Sequence, residues 1–278
     1  MKKTGVILTL IFTIALMFSA CDKIEKNNYV EQPKLIVAVE SKSNDDNISD
    51  ISTVIIALNE TLKGISNKTL THDERVEMTT SFVENLTKLL QNKESTKLSD
   101  EDLQEALDYN IVSMTKAKNI DGISIRIVRF DGSSELFGTL ERKWTYIQWW
   151  NDEEAHAQII ISKGAEVVED FLVIKNNGES TLTLAGYLTM YKPFPVFLST
   201  WQLKDNKWSK TNLFSKSIIA NDVWELKITD NELVVESKSK DEINVEINQQ
   251  SKEFVVYSEV NQKKNIEFKF EGEEIMMK

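Results

Sequence analysis

A single cysteine, three prolines, two histidines and nine glycines are all that this chain of 278 residues contains. Each scarcity removes a class of protein. One cysteine forbids a disulfide within the chain, so no cross-linked scaffold is expected. That cysteine and the distant His72 and His156 do not supply the closely set ligands of a zinc site. Glycine this sparse leaves no phosphate-cradling loop and no dinucleotide fingerprint, and no G-x-S-x-G elbow occurs. Positive charge is short too, with 33 Lys and Arg against 44 Asp and Glu. An acidic surface is repelled by nucleic acid and by anionic lipid, so neither is expected as an electrostatic partner. No repeat of fixed period is present.

What is present begins at the N-terminus. Lys2 and Lys3 precede a charge-free apolar run, Val6 to Ala20. A basic start and a short apolar run mark a secretory signal rather than a folded element. At about fifteen residues the run is shorter than the roughly 18–20 that span a bilayer as a stable helix. Ser19 and Ala20, both small, stand directly before Cys21, the chain's one cysteine.

Phe18-Ser19-Ala20-Cys21 resembles the lipobox of bacterial lipoproteins, with Phe where that family prefers Leu. The resemblance covers only the first twenty-one residues. It implies that the Cys21 thiol is acylated, that residues 1–20 are removed, and that the protein is held extracytoplasmically at a cell membrane. Two or three acyl chains, at about 0.8 kcal/mol per buried methylene, make a stable anchor. Removing Lys2 and Lys3 takes the net charge from −11 to −13.

Residues 21–34 are polar, with Asn27, Asn28 and Pro33, and read as a tether. The apolar Leu35–Val39 reads as a strand. Three amphipathic helices are expected next, within a mainly helical region spanning 35–119. Ile51, Val54, Ile55, Leu58, Leu62 and Ile65 share one face. Thr71 and Glu74 form a capping box ahead of Val76, Val83, Leu86 and Leu90. Ser99 caps a third helix whose face runs from Leu103 through Ile111 to Met114.

Near Ile120 the apolar period falls from 3.6 to 2, as in Ile123, Ile125 and Ile127. Roughly ten strands follow, punctuated by Asp131-Gly132, Asn176-Asn177-Gly178, Asp205-Asn206 and Asp230-Asn231. Leu136–Leu140 is among them, and Pro193 and Pro195 should lie in a loop or at an edge. The expected class is α+β: a small helical region, then an antiparallel β sandwich or barrel-like meander over 120–278. A hydrophobic content of 41% is enough for a core.

Candidate chemistry is thin. His72 sits among first-turn acids, and His156 follows Asp152-Glu153-Glu154, whose carboxylates would orient it as a base in a functional reading. The bland reading of each is a surface residue. Asn44-Asp45-Asp46-Asn47 with Asp50, and Asp100-Glu101-Asp102, lack the spacing of a calcium loop, and no metal or cofactor is expected. The distinctive stretch is Trp144 to Trp150. In a strand, Trp144, Tyr146 and Trp150 lie on one face and Trp149 on the other: either one face presents an aromatic platform for a sugar or a protein, or all of them are core shared between the sheet and the helical layer. Phe194, between two prolines, is a second candidate contact. No catalytic residue is singled out. The expected function is a non-catalytic, lipid-anchored binding or adaptor protein whose ligand is an envelope protein or a glycan. The alternative is a carboxylate-dependent envelope hydrolase acting on glycans.

Overall fold

A computed structural model describes residues 51–65, 69–107, 112–131, 143–164, 166–176, 178–189, 192–229, 231–260 and 264–278. The expected leader, Cys21, the tether, the Leu35–Val39 strand, the acidic Asn44–Asp50 segment, Gly132 and the Leu136–Leu140 strand all lie outside them. The described chain is α+β, with antiparallel sheets and no closed barrel.

Three helices come first: α1 (Ile51–Ile65), α2 (His72–Gln91) and α3 (Asp100–Ala106). Thr71 and Glu74 form the expected capping box. The Glu74 N–H donates to Thr71 Oγ1 at 3.3 Å, and the Thr71 N–H donates to Glu74 Oε2 at 2.7 Å. On α2 the expected Leu86 and Leu90 are buried together with Phe82 and Leu89, while the expected Val76 and Val83 are half-buried. A 3-10 turn, Lys93–Lys97, leads to α3, where the Asp102 N–H donates to Ser99. This helix ends at Ala106, short of the expected Met114. Met114 belongs to a strand, since its backbone pairs with Val128.

The first sheet contains β1 (Val112–Met114), β2 (Lys118–Ile120), β3 (Ile123–Asp131), β4 (Lys143–Trp150) and β5 (Ala155–Gly164). The second contains β6 (Glu166–Asn176), β7 (Glu179–Leu188), β8 (Val196–Lys204), β9 (Lys207–Thr211), β10 (Trp224–Thr229) and β11 (Glu232–Ser237). The third is a plain meander of β12 (Ile243–Asn248), β13 (Glu253–Ser258), β14 (Asn265–Glu271) and β15 (Glu274–Met277). The described residues alone form fifteen strands, against the roughly ten expected. Short strands such as β1 and β2 carry too few residues to show a period.

The turns follow from residues that tolerate a left-handed backbone. Asp205 and Asn206, both at positive φ, close the β8–β9 hairpin as expected, and Asn231 stands in the β10–β11 turn. Asp121-Gly122, which the sequence reading passed over, joins β2 to β3 in the same way. Gly186 is needed for another reason. It faces a register shift in β6, and a Cβ there would lie 1.9 Å from the Val167 carbonyl oxygen.

Apolar side chains fall into three clusters, so four layers are stacked. Leu58, Phe82, Leu86 and Leu103 of the helical segment pack on Val128, Phe130, Trp144 and Tyr146 of the first sheet. Its opposite face, with Ile125, Ile127, Ile147 and Trp149, packs on Phe171, Leu184, Phe197 and Trp208 of the second. The far face of that sheet, with Leu172, Leu198 and Val235, packs on Phe254, Val256 and Phe268 of the third. The middle sheet is covered on both sides. Its central strands β7 and β8 accordingly each bury six consecutive residues and lose the alternation of a half-exposed strand.

One polar knot joins the helical layer to the first sheet. Arg126, 1% exposed, donates to Gln148 Oε1 at 2.6 Å, to Asp100 Oδ1 at 3.1 Å and to the Ser95 carbonyl at 3.0 Å. Gln148 donates in turn to the Leu90 carbonyl at the end of α2 and to Ser95 Oγ. Burial pushes the Arg126 guanidinium below its ordinary range, and Asp100 beside it acts in the opposite sense.

Candidate functional site

The aromatic stretch in β4 is not an exposed platform. Trp144 and Trp149 are each 5% exposed and Tyr146 is fully buried. Both faces of β4 are core faces, one under the helices and one against the second sheet. The platform reading needed one outer face on β4; the other reading, that these aromatics are core, describes Trp144, Tyr146 and Trp149. Trp144 stacks on Phe130 at 5.1 Å, and the Tyr146 hydroxyl donates to the Val83 carbonyl at 3.3 Å. Trp150 is half-buried, with the Arg126 guanidinium 5.2 Å from its ring centre. Trp201, Trp208 and Trp224 are buried as well.

Phe194 is exposed, at 38%, on the loop between β7 and β8. Beside it lies a recess of about 10 Å³ bounded by Pro193, Pro195, Glu236, Lys240 and Asp241. That is room for about one water molecule. Asp241 there is held below the usual carboxylate range, first by the Ser239 hydroxyl.

The two histidines are 84 residues apart and lie on different elements. His72 is exposed at the first position of α2. His156, the second residue of β5, stacks on Trp149 at 5.2 Å and has Nε2 3.0 Å from Glu154 Oε1. Asp100 of the second acidic cluster serves the fold, with Oδ1 on Arg126 and Oδ2 accepting from the Ala117 N–H. Among the described residues, no group of three or more His, Cys, Asp or Glu side chains is placed to hold a metal ion.

The larger recess, of about 160 Å³, opens where the first and second sheets meet. It is bounded by Ser113 of β1, Arg129, Phe130 and Asp131 of β3, Lys143, Trp144 and Thr145 of β4, and Glu166 and Val167 of β6. Strand pairing sets Asp131 opposite Lys143 and Arg129 opposite Thr145, so period 2 gathers this set at one end of the hairpin. Arg129 donates Nε to Ser113 Oγ at 3.0 Å and Nη1 to the Val168 carbonyl and to Glu169. Lys143 Nζ lies 3.3 Å from Thr189 Oγ1 and 4.0 Å from Asp131. Across from them, Glu166 Oε2 is buried and has no hydrogen-bond partner among the described residues. Two cations and two carboxylates therefore line one recess.

Sequence reading passed over Arg129, Lys143 and Glu166 and took Asp131 only as a turn residue. Their meeting depends on how two sheets stack, which leaves no local pattern.

The fold and its recess define the chain as an α+β protein of one helical layer and three stacked antiparallel sheets. No protein-family model matches the sequence, and no curated protein matches it.

Proposed function

We propose that this chain is a lipid-anchored, extracytoplasmic binding protein of the bacterial cell envelope. One observation carries the reading. Cys21, the only cysteine, follows Phe18-Ser19-Ala20 at the end of a basic-then-apolar leader. The two-signed recess between the first and second sheets supports the binding half, because charged groups lining one accessible hollow offer oriented contacts to a solute. The acidic surface fits a protein that acts in solution at the membrane rather than lying flat on anionic lipid.

The test is metabolic labelling with radiolabelled palmitate in a bacterial host, comparing the full chain with Cys21→Ser. Label on the wild-type chain and its membrane fraction, and neither on the variant, is the expected result. Equal labelling of both, or membrane retention of the variant, would remove the anchor from the reading.

A further inference from the structure

β10 ends the second sheet and is hydrogen-bonded to β11 alone among the described residues. At the opposite end of that sheet, the carbonyls of β6 are covered by Lys118, Arg129 and Gln249. The pairing of β10 with β11 shows which of its own backbone groups are left over. The register that sets Trp224 opposite Ser237 continues one residue further, where the Lys238 N–H donates to the Val223 carbonyl at 3.0 Å. Antiparallel strands alternate bonded and unbonded pairs. Glu225 and Lys227 therefore turn their backbone groups to β11, and Trp224, Leu226 and Ile228 turn theirs outward. Asn221 serves Trp224, accepting from its N–H at 2.8 Å and donating to its carbonyl at 3.2 Å. The outward groups of Leu226 and Ile228 have no partner among the described residues. Such a row of donors and acceptors is a template for another strand.

The side chains select which strand fits. Glu225 and Lys227 are exposed on one face, and neither has an ion-pair partner among the described residues. On the other face Trp224 and Leu226 pack against the third-sheet cluster, while Ile228 stays 37% exposed. We infer that β10 pairs antiparallel with β10 of a second copy of this chain, about a two-fold axis at Leu226. Leu226 then exchanges both backbone hydrogen bonds with Leu226 of the partner subunit. Glu225 stands directly opposite the partner's Lys227, and Lys227 opposite the partner's Glu225. Ile228 comes beside the partner's Trp224 and is shielded from water. Charge fixes this register. An axis at Lys227 sets two ammonium groups opposite each other, and one at Glu225 sets two carboxylates. The order acid, apolar, base is its own complement when reversed, as a two-fold contact requires.

Sedimentation velocity of the full chain in detergent tests the inference, using charge reversal. Glu225→Lys and Lys227→Glu each replace two attractive pairs by two repulsive ones. The expected result is a wild-type dimer and about tenfold weaker dimerisation by either variant alone. An equimolar mixture of the two variants restores opposite charges at both positions, and so does the double variant Glu225→Lys/Lys227→Glu. Both are expected to dimerise as the wild type does, which also shows that the reversed chains are folded. Sharing of a detergent micelle is indifferent to these reversals. A wild-type chain that stays monomeric across its soluble range would overturn the inference. So would a dimer that neither reversal weakens, because its contact would lie away from β10. Weakening that neither the mixture nor the double variant repairs would overturn the antiparallel register at Leu226.

Discussion

Arg126 donates from Nε to Gln148 Oε1 at 2.6 Å beneath the helical layer, and both side chains are sealed from water. Their strands are adjacent, with Arg126 directly opposite Gln148. The pair reaches upward to the end of α2, the 3-10 turn and the start of α3. It fixes how three consecutive helical segments sit on one sheet. Removing one partner leaves the others buried and unpaired, which typically costs about 3–5 kcal/mol. Arg126→Ala is therefore expected to lower the unfolding midpoint by roughly 10 °C, since each kcal/mol is worth about 2–4 °C in a domain of this size. A midpoint within about 2 °C of wild type in a calorimetric scan would mean that the network adds nothing to stability.

Trp149 bridges the first and second sheets, stacked on His156 at 5.2 Å and edge-on to Trp208 at 6.2 Å. Its role is packing. Truncation of a buried aromatic commonly costs about 3–5 kcal/mol. Trp149→Ala is expected to lose the near-ultraviolet circular dichroism of the packed indoles and to unfold at lower denaturant. Trp150→Ala, at a half-buried site, is expected to be milder. Denaturant midpoints for the two variants decide this, and equal midpoints would contradict the layered account.

The outer edge of β6 is closed by side chains rather than by another strand. Lys118 donates to the Phe171 carbonyl, Arg129 to the Val168 carbonyl, and Gln249 both donates to the Val173 carbonyl and accepts from the Val173 N–H. Gln249 thereby imitates a neighbouring strand. An unblocked edge pairs with other chains. The double variant Lys118→Ala/Gln249→Ala is expected to form species larger than a dimer with rising concentration in sedimentation velocity runs where the wild type does not. A double variant with wild-type sedimentation behaviour would show that the edge needs no blocking.

Burial raises the Tyr146 phenol well above its ordinary value, so the folded state holds the neutral form. In the unfolded chain the phenol ionises near pH 10. Between that value and the higher folded value, the unfolded state binds fewer protons, and stability falls as pH rises. The contribution is complete below about pH 10. Tyr146→Phe is expected to lose about 1 kcal/mol at neutral pH from the missing hydrogen bond. It should also flatten the alkaline decline in stability between pH 9 and 11. Identical slopes for both proteins in denaturant titrations across that range would rule Tyr146 out as their source.

The helix starts at Thr71 and Ser99 and the hairpins at Asp205-Asn206 and Asn231 were legible because the signals are local. A cap needs only the residue three positions on, and a hairpin turn needs only two residues able to hold positive φ. The change of period near Ile120 likewise separated the helical segment from most of the strands and set the α+β class. The resemblance of Phe18–Cys21 to a lipobox, which underlies the proposed anchor, is also carried by a linear motif.

Tertiary structure alone decided which faces are inside. Trp144, Tyr146 and Trp149 alternate along β4 in a way that fits one buried face as well as two. A third sheet covering the second, and helices covering the first, turned every aromatic of that strand except Trp150 into core. The same stacking brought Arg129, Lys143 and Glu166 to one recess, although Glu166 stands 37 residues beyond Arg129 in the chain. Periodicity reports which residues share a face, because it follows from backbone geometry. What lies opposite that face follows from the packing of distant segments, and no spacing within one strand encodes it.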